Sequence, residues 1–387
     1  MDQVSTARIN ARLHHLESYG TRFVSSSQAP VVAGYLQDEL AAYGWETELQ
    51  EFSFQHDTLG IVTSWNVIAR RAGTNPDALI ALGAHWDTIN ASSPGGSWDN
   101  PQAPAPGVGD NGSGVAALLE IARVARFHPF RQNVEIVFFG AEEQWLQGSR
   151  HYVAQHMAAG TNIAGFYNID TISYDIDGPW DFSLLSDHAS LWLMWDAVAV
   201  CRDYEPELEP ISMYVPDEWS NSDVYPFWAV HYPAVSVWEG VWYQPEEHGQ
   251  HGDTPDDTYA NSVPDGGAFI TAMTRFALAA FCVWADLGPL PAGSPDLPAG
   301  GEAALSLHPN PFRESVTIRP AREGGQIAGV EIFDLGGRRV RRLEADGGEA
   351  MLWDGRGQRG ERLAAGVYLL RPVGGGPGQG QRAVLLR

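Results

Sequence analysis

This chain of 387 residues has few cysteines, few basic residues and no long apolar runs. Its two cysteines, Cys201 and Cys282, form no CxxC pair, which excludes a disulfide framework and a thiolate metal site. Both lie in apolar, helix-like surroundings, so we expect buried free thiols. No apolar run approaches the roughly 20 residues that span a bilayer, which argues against membrane insertion. The opening MDQVSTARINARLHHLESYG lacks the basic region and apolar core of a signal peptide.

The charge is strongly acidic and unevenly distributed. The chain has 24 basic and 48 acidic residues, a formal net charge of −24. The first 302 residues contain 11 of the basic and 39 of the acidic residues, so the remaining tail is mildly basic. An acidic surface argues against nucleic acid or anionic lipid as a partner.

Composition divides the chain into two predicted domains. The stretch GPLPAGSPDLPAGG is rich in proline and glycine, and we interpret residues 288–302 as a linker. In residues 1–287, β-rich apolar runs alternate with helical patterns, which predicts an α/β domain with a mostly parallel central sheet flanked by helices. In residues 303–387, short strands separated by glycine-rich turns predict a small β-sandwich.

Polar residues end several predicted strands of the first domain or begin a helix beside them. The segments are GAHWDT, PGVGDNGSG, VFFGAEEQW and YNIDTISY. Ligands of open α/β sheets gather at the carboxyl ends of strands, so we expect these residues to meet. The candidates are His85, Asp87, Asp110, Glu142, Glu143 and Asp170.

Each cluster alone has an ordinary structural explanation. A His-x-Asp pair is often structural, Asp110 could cap a helix, and the Glu142–Glu143 pair could lie in a solvated loop. Asp170 follows an apolar strand, where an unpaired charge is costly. Taken together, oxygen and imidazole ligands without cysteine suit Zn²⁺ in a hydrolytic two-metal site.

These segments, in this order, resemble the co-catalytic di-zinc aminopeptidase family, which includes bacterial leucyl aminopeptidase, aminopeptidase Y and glutamate carboxypeptidase. The resemblance covers roughly residues 10 to 285 and implies a zinc-peptidase α/β/α sandwich acting on peptide or protein substrates. It implies that Asp110 bridges two zinc ions and that His85 and Asp170 complete the ligands of one. Glu143 and a later histidine would complete the other.

The resemblance also implies the catalytic roles. Glu142 would be the general base, and Asp87 would orient His85. The sequence departs from the family pattern at Gly109, where many members have an acid, and at Val224, where many have a histidine. Trp219 stands near the place of a tyrosine that stabilises the oxyanion in some members.

The last zinc ligand is open at the sequence level. In QHGDTPDDT, an alignment without a gap places Asp253 where the family has its zinc histidine. An alignment with two extra residues places His251 there, and this is the predicted ligand. His248 is a third alternative, and a surface loop with no metal role is a fourth.

Three functional hypotheses follow. The first is a secreted zinc aminopeptidase, and four tryptophans near the last ligand could line its specificity pocket or pack in the core: Trp219, Trp228, Trp238 and Trp242. The second is a glutaminyl-peptide cyclotransferase, which shares this fold and uses one zinc ion. The third is a non-catalytic binding protein with a degraded metal site.

The tail carries a second resemblance. The pattern from LHPNPF to GVYLLR is similar to the C-terminal secretion-sorting modules of large bacterial enzymes, which resemble the immunoglobulin-like domain of the flagellar hook-capping protein. This similarity implies export by a secretion machinery. A signal peptide missing from this chain would then have been removed.

Overall fold

The computed structural model describes most of the chain. In the first part it describes residues 1–74, 78–176, 179–215, 222–240 and 251–285. In the second part it describes residues 305–308, 312, 315–320, 328–333, 339–345, 350–363, 366–373 and 381–385. The chain divides into two compact units, Met1–Leu290 and Pro291–Arg387. The predicted linker lies outside the described residues and, with the domain boundaries, stays a prediction.

The first unit alternates helices and strands. The helices are α1 (Thr6–Glu17), α2 (Ala29–Ala42), α3 (Ser113–Ala125), α4 (Gln147–Ala159), α5 (Leu191–Tyr204), α6 (Tyr225–Trp228), α7 (Tyr259–Ser262) and α8 (Ala268–Trp284). The strands are β1 (Glu46–His56), β2 (Gly60–Arg71), β3 (Leu79–His85), β4 (Asn133–Phe139), β5 (Ile163–Ile169), β6 (Trp180–Ser186), β7 (Leu208–Tyr214) and β8 (Ala234–Glu239).

The eight strands form one sheet in the order β1-β2-β4-β3-β5-β8-β6-β7. Four neighbouring pairs are parallel, namely β3/β4, β3/β5, β5/β8 and β6/β7. The pairs β1/β2, β2/β4 and β6/β8 are antiparallel. The predicted α/β class with a mostly parallel sheet is therefore confirmed.

The centre of the sheet is buried on both faces, as expected for parallel strands covered by helices. All seven residues of β3 are buried, and α3 and α8 contribute long runs of buried side chains to the main core. Gly83 in β3 allows close packing, because a Cβ there would lie 2.5 Å from the Phe139 ring and 2.8 Å from the Phe166 ring. Both cysteines are free thiols, as predicted, and Cys201 is buried, whereas Cys282 is half-buried rather than fully buried.

The described part of the chain contains no helix that is both long and apolar enough to cross a membrane.

The second unit consists of short antiparallel strands. They are β9 (Leu305–His308), β10 (Val316–Pro320), β11 (Gly329–Phe333), β12 (Arg339–Glu344), β13 (Met351–Trp353), β14 (Gly366–Val373) and β15 (Gln381–Leu385). They form a three-stranded sheet, β13-β10-β9, and a four-stranded sheet, β12-β11-β14-β15. Side chains of both sheets share one core around the fully buried Trp353. The predicted small two-sheet β domain is confirmed, and its sorting role stays a prediction.

Candidate metal centre

Acidic and histidine side chains meet at the carboxyl edge of the central sheet. His85 is the last residue of β3, and Asp170 directly follows β5. Glu142 and Glu143 lie in a loop between β4 and α4, which we call the Glu142 loop (residues 140–146). Asp110 lies in the turn Val108–Gly112 at the start of α3. The parallel pairing of β3 with β4 and β5 brings these chain segments together.

The first group of possible ligands surrounds His85. Its Nε2 lies 3.0 Å from Oδ1 of Asp110 and 3.3 Å from Oδ1 of Asp170. The other oxygen of Asp170 accepts a hydrogen bond of 2.5 Å from the Ser222 hydroxyl, which in turn accepts one from the Asn168 amide. Asp170 is thus held with one oxygen facing His85, as a metal ligand needs to be.

The second group contains Asp110, Glu143 and Asp253, whose oxygen atoms lie within 4.8 Å of one another. Asp110 therefore belongs to both groups. A third set, His85 with Glu142 and Glu143, satisfies the same distance and joins the two. A carboxylate shared between adjacent ligand groups is the arrangement that a pair of bridged metal ions requires.

The carboxylate of Asp87 hydrogen-bonds to the Glu142 loop and lies farther from the His85 imidazole, whose predicted orientation by Asp87 stays a prediction. Its two carboxylate oxygens accept hydrogen bonds from the backbone N–H groups of Glu142 (3.0 Å) and Glu143 (3.3 Å). The Nδ1 atom of His85 lies 3.2 Å from the backbone oxygen of Asp87 and 3.9 Å from its carboxylate. The buried Asp87 side chain thus positions the two glutamates, whereas its backbone faces the histidine.

The structure brings Asp253, and not the predicted His251, into the cluster. Among the described residues, one of the three groups that could hold a metal includes Asp253, and none of the three includes His251. A backbone hydrogen bond holds this segment in place, because the N–H of Ala91 donates to the backbone carbonyl oxygen of Asp253 at 2.9 Å. His248, Trp219 and Trp242 lie outside the described residues. The in-register alignment of the sequence therefore agrees with the geometry, and the role of His251 stays a prediction.

Asp253 and His251 can be separated by measuring bound zinc. We expect Asp253→Ala to lose one zinc ion per chain, because it removes one of three carboxylates from the second group. We expect His251→Ala, the matched control two residues away, to keep the zinc content of the unchanged protein. Elemental analysis after dialysis against a weak chelator measures both. Normal zinc in Asp253→Ala together with lost zinc in His251→Ala would restore His251 as the ligand.

Asp257, in the same stretch, holds the Asp110 turn in place. Its carboxylate accepts hydrogen bonds from the backbone N–H groups of Gly109 (2.8 Å) and Asp110 (2.9 Å), and from the hydroxyl of Ser262. Asp257 is buried, and burial raises the pKa of its carboxyl. The sequence motifs described above do not include this residue. The adjacent acids of TPDDT were the available signal.

Asp257→Asn should weaken zinc binding without removing a ligand. An amide has one oxygen where the carboxylate has two, so one backbone N–H of the turn loses its partner and Asp110 is less firmly placed. We expect zinc affinity to fall by about 10- to 100-fold. Competition with a fluorescent zinc chelator measures the affinity, and Asp256→Asn, an exposed neighbour, is the control. Equal affinities in the two variants would contradict this role.

Arg22 is a second residue that the sequence did not reveal. It is fully buried and donates to three backbone oxygens, those of Trp86 (2.8 Å), Pro106 (2.6 Å) and Gly107 (2.8 Å). Burial lowers the pKa of Arg22 to about 10, so the side chain stays charged at neutral pH. It connects the segment after β3 to the segment before Asp110 and places one positive charge among the acids.

Unfavourable backbone conformations concentrate at this site. Among the described residues, six other than glycine have positive φ: Ala141, Trp145, Leu146, Thr171, His231 and Asp253. Three belong to the Glu142 loop, one follows Asp170, and Asp253 is in the second group. Such conformations cost of order 1–3 kcal/mol each and persist at functional sites, where the surrounding structure enforces them.

The charges of the site explain why it suits cations. Burial, together with the neighbouring acids, raises the pKa values of Glu142 and Glu143 well above their usual range. It raises those of Asp223 and Asp253 to about 7. Burial lowers the pKa of His85, but the surrounding carboxylates outweigh it and leave the value raised. One oxygen of Asp253 is also buried without a hydrogen-bond partner among the described residues. This donor set fits divalent metal ions.

Comparison with known proteins identifies the class to which this fold and site belong. The sequence profile of Peptidase family M28 matches residues 66–277. This range is more than half of the chain and contains every candidate residue of the metal centre. The chain belongs to peptidase family M28.

Relatives with assigned names are similar over part of their length. A probable zinc metalloprotease of Pyrenophora tritici-repentis is 27% identical over 44% of this chain and 42% of its own. A probable leucine aminopeptidase 2 of Aspergillus oryzae is 33% identical over 30% of this chain and 23% of its own. Leupeptin-inactivating enzyme 1 of Streptomyces exfoliatus is 33% identical over 36% of this chain and 28% of its own. The chain thus spans less than half the length of these relatives.

Solved structures share the fold at low sequence identity. LapB from Legionella pneumophila has a TM-score of 0.61 at 18% identity and covers 73% of both chains. An aminopeptidase from Aneurinibacillus sp. strain AM-1 has a TM-score of 0.59 at 15% sequence identity, and the match covers 78% of this chain and 98% of that one. Porphyromonas gingivalis glutaminyl cyclase has a TM-score of 0.59 at 17% sequence identity, and the match covers 73% of this chain and 99% of that one. The fold alone therefore does not separate peptidase from cyclase.

Proposed function

We propose that this chain is a zinc-dependent aminopeptidase with two metal ions. The observation that carries the proposal is the position of Asp110 in two ligand groups at once. His85 and Asp170 would hold one ion with Asp110, and Glu143 and Asp253 would hold the other with it. A relative named as a probable leucine aminopeptidase supports the same reaction class.

Glu142 is the residue that would move the proton. Zinc, when bound, would polarise the scissile carbonyl and lower the pKa of a water molecule beside it. Glu142 would take a proton from the attacking water and deliver it to the leaving amine, because a general base must lie within reach of both. The Asp87 contacts with the backbone of Glu142 and Glu143 would hold this carboxylate at a fixed distance from the ligand groups.

The test is hydrolysis by the full chain loaded with zinc. We expect release of p-nitroaniline from Leu- and Phe-p-nitroanilide, none from N-acetyl-Leu-p-nitroanilide, and two zinc ions per chain. An N-terminal glutamine peptide is assayed in parallel. One zinc ion with cyclisation of that peptide would replace the peptidase by a glutaminyl-peptide cyclotransferase. Zinc binding without any reaction would indicate a binding protein.

We also propose that the protein acts outside the cell and that the second unit addresses it to a secretion machinery. The small antiparallel β domain and the NPF and GVYLLR segments support this role. Fusing residues 303–387 to an exported reporter in a bacterium with such a machinery tests it. We expect the reporter in the medium with the segment, and retained in the periplasm without it.

A further inference from the structure

We propose that Trp98 and Trp145 form an apolar subsite for the side chain of the residue that provides the leaving amine. The proposal rests on the aminopeptidase function above and names the peptides that such an enzyme prefers. It predicts a large apolar or aromatic residue immediately after the scissile bond.

The first observation is a cavity of about 330 Å³ beside the metal centre. Its lining combines apolar side chains with carboxylates of the ligand groups: Ile89, Trp98, Trp145 and Leu146 with Glu142, Glu143 and Asp253. Ligand pockets of proteins have volumes of about 300–1,000 Å³, so this one is at the small end and suits a single side chain. One cavity thus contacts both the proposed proton carrier and a pair of tryptophans.

The second observation is that both tryptophans are exposed to solvent and that one of them has an unfavourable backbone conformation. Trp145 is 79% exposed and Trp98 is 41% exposed. Trp145 also has φ of 70°, in the left-handed region where glycine or asparagine is favoured over a large side chain. An exposed position favours a polar side chain, and a left-handed backbone favours glycine or asparagine, so neither property explains a tryptophan at position 145. Contact with an apolar ligand does, since aromatic rings gain most from burial against another apolar group.

The third observation is that the segment carrying Trp98 is held in place. In residues 90–104, which we call the Trp98 loop, the Asn90 amide donates to the Pro104 oxygen at 3.0 Å. The backbone N–H of Ser97 donates to the Asn90 oxygen at 2.9 Å. Ala91 connects the loop to the Asp253 segment through its bond to the Asp253 oxygen. Because the loop is already ordered, binding a ligand against Trp98 loses less conformational entropy.

Glu142 decides which side of the scissile bond the cavity serves. The proton donor to the leaving amine must lie within hydrogen-bond reach of that nitrogen. The residue joined to the nitrogen is therefore next to Glu142, and we assign its side chain to the cavity that Glu142 lines. Large apolar side chains fit this space better than small ones, and a preference of roughly tenfold or more is expected from such a pocket.

The test compares Leu-Phe-amide with Leu-Ala-amide as substrates of the zinc-loaded full chain. We expect kcat/KM to be at least about tenfold higher for Leu-Phe-amide. The ratio should fall below about threefold in Trp98→Ala and in Trp145→Asn, where asparagine keeps the left-handed backbone. Phe127→Ala removes an aromatic side chain that is 76% exposed outside this lining, and it should leave the ratio unchanged.

A second readout keeps the subsite testable without catalysis. Calorimetric titration of the zinc-loaded Glu142→Gln variant with Leu-Phe-amide and Leu-Ala-amide measures binding without turnover. We expect Leu-Phe-amide to bind at least about tenfold more tightly, with the difference lost when Trp98→Ala or Trp145→Asn is added. Hydrolysis without this preference would overturn the subsite and leave the aminopeptidase standing. Tighter binding of Leu-Lys-amide than of Leu-Phe-amide would overturn it too. The binding difference without hydrolysis would support the subsite and remove the aminopeptidase.

Discussion

Glu142→Gln should lower kcat/KM for Leu-p-nitroanilide by at least about 10²-fold, and by as much as about 10⁴-fold. Glutamine has nearly the same shape, but its amide cannot accept a proton from water at neutral pH. The backbone N–H of residue 142 still donates to Asp87, so the Glu142 loop should keep its position. Steady-state kinetics on the zinc-loaded full chain measures the effect.

Zinc content and melting temperature distinguish lost chemistry from lost structure in this variant. We expect both to stay close to those of the unchanged protein, because Asp110, His85 and Asp170 remain as one group and Glu143 with Asp253 in the other. Glu46→Gln, at an exposed position at the start of β1, is the matched control and should retain full activity. Activity of Glu142→Gln within threefold of the control would remove the proposed general base.

The metal-free protein should lose stability as the pH rises from about 5 to about 7.5, and zinc should restore it. Folding raises the pKa values of Asp223 and Asp253 to about 7, above the usual value of about 4 for an unfolded aspartate. Between these values the folded chain holds protons that the unfolded chain has released. Since stability falls with pH wherever the folded state binds more protons, the free energy of unfolding decreases across this window.

The raised pKa values of Glu142, Glu143 and His85 act in the same direction. We expect the free energy of unfolding of the zinc-free protein to drop by about 2 kcal/mol or more between pH 5 and pH 7.5. The increase in melting temperature on adding zinc should be larger at pH 7.5, because the ligands must be deprotonated to bind.

Thermal melts with chelator or with zinc at pH 5 and pH 7.5 measure both effects. Asp253→Asn removes one of the titrating groups and should flatten the pH dependence of the zinc-free protein. Asp38→Asn, on the exposed face of α2, should leave it unchanged. A zinc-free protein that is equally stable at both pH values would show that the acids do not repel one another as their positions imply.

Much of the fold was predictable because its cause is local. The apolar runs of β3, β4, β5 and β8 and the helical spacing in α2 and α3 reflect periodicities that the backbone imposes on any buried strand or amphipathic helix. Alternation of the two in sequence then favours a parallel sheet, and glycine-rich turns between short strands favour a β domain.

The candidate ligands were also readable from sequence, since each follows a strand or begins a helix. The sequence pattern predicts His85, Asp110, Glu143 and Asp170 as neighbours, and the structure places them together. Their residue types and order were sufficient, because the carboxyl ends of parallel strands share one edge of the sheet. The metal ions themselves and their number stay predictions.

Contacts between segments that are distant along the chain could not be predicted from the sequence. Asp257 meets Asp110 across 147 residues, and Arg22 reaches the Gly107 oxygen across 85. The choice between His251 and Asp253 depends on which of the two side chains the tertiary structure places beside Asp110 and Glu143. A shift of two residues changes the ligand without changing composition.

The tryptophans show the same division. Proximity in sequence suggested Trp228 for a specificity pocket, but its side chain is buried in a core cluster and donates to the Ala234 oxygen. Among the described residues, the tryptophans that line the cavity are Trp98 and Trp145, 47 positions apart in the printed sequence. Sequence by itself determined the class of fold and the chemistry of the site, because strand ends and ligand types are local properties. Only the tertiary structure decided which side chains meet at the sheet edge and line its cavity, because those contacts are set by packing between remote segments.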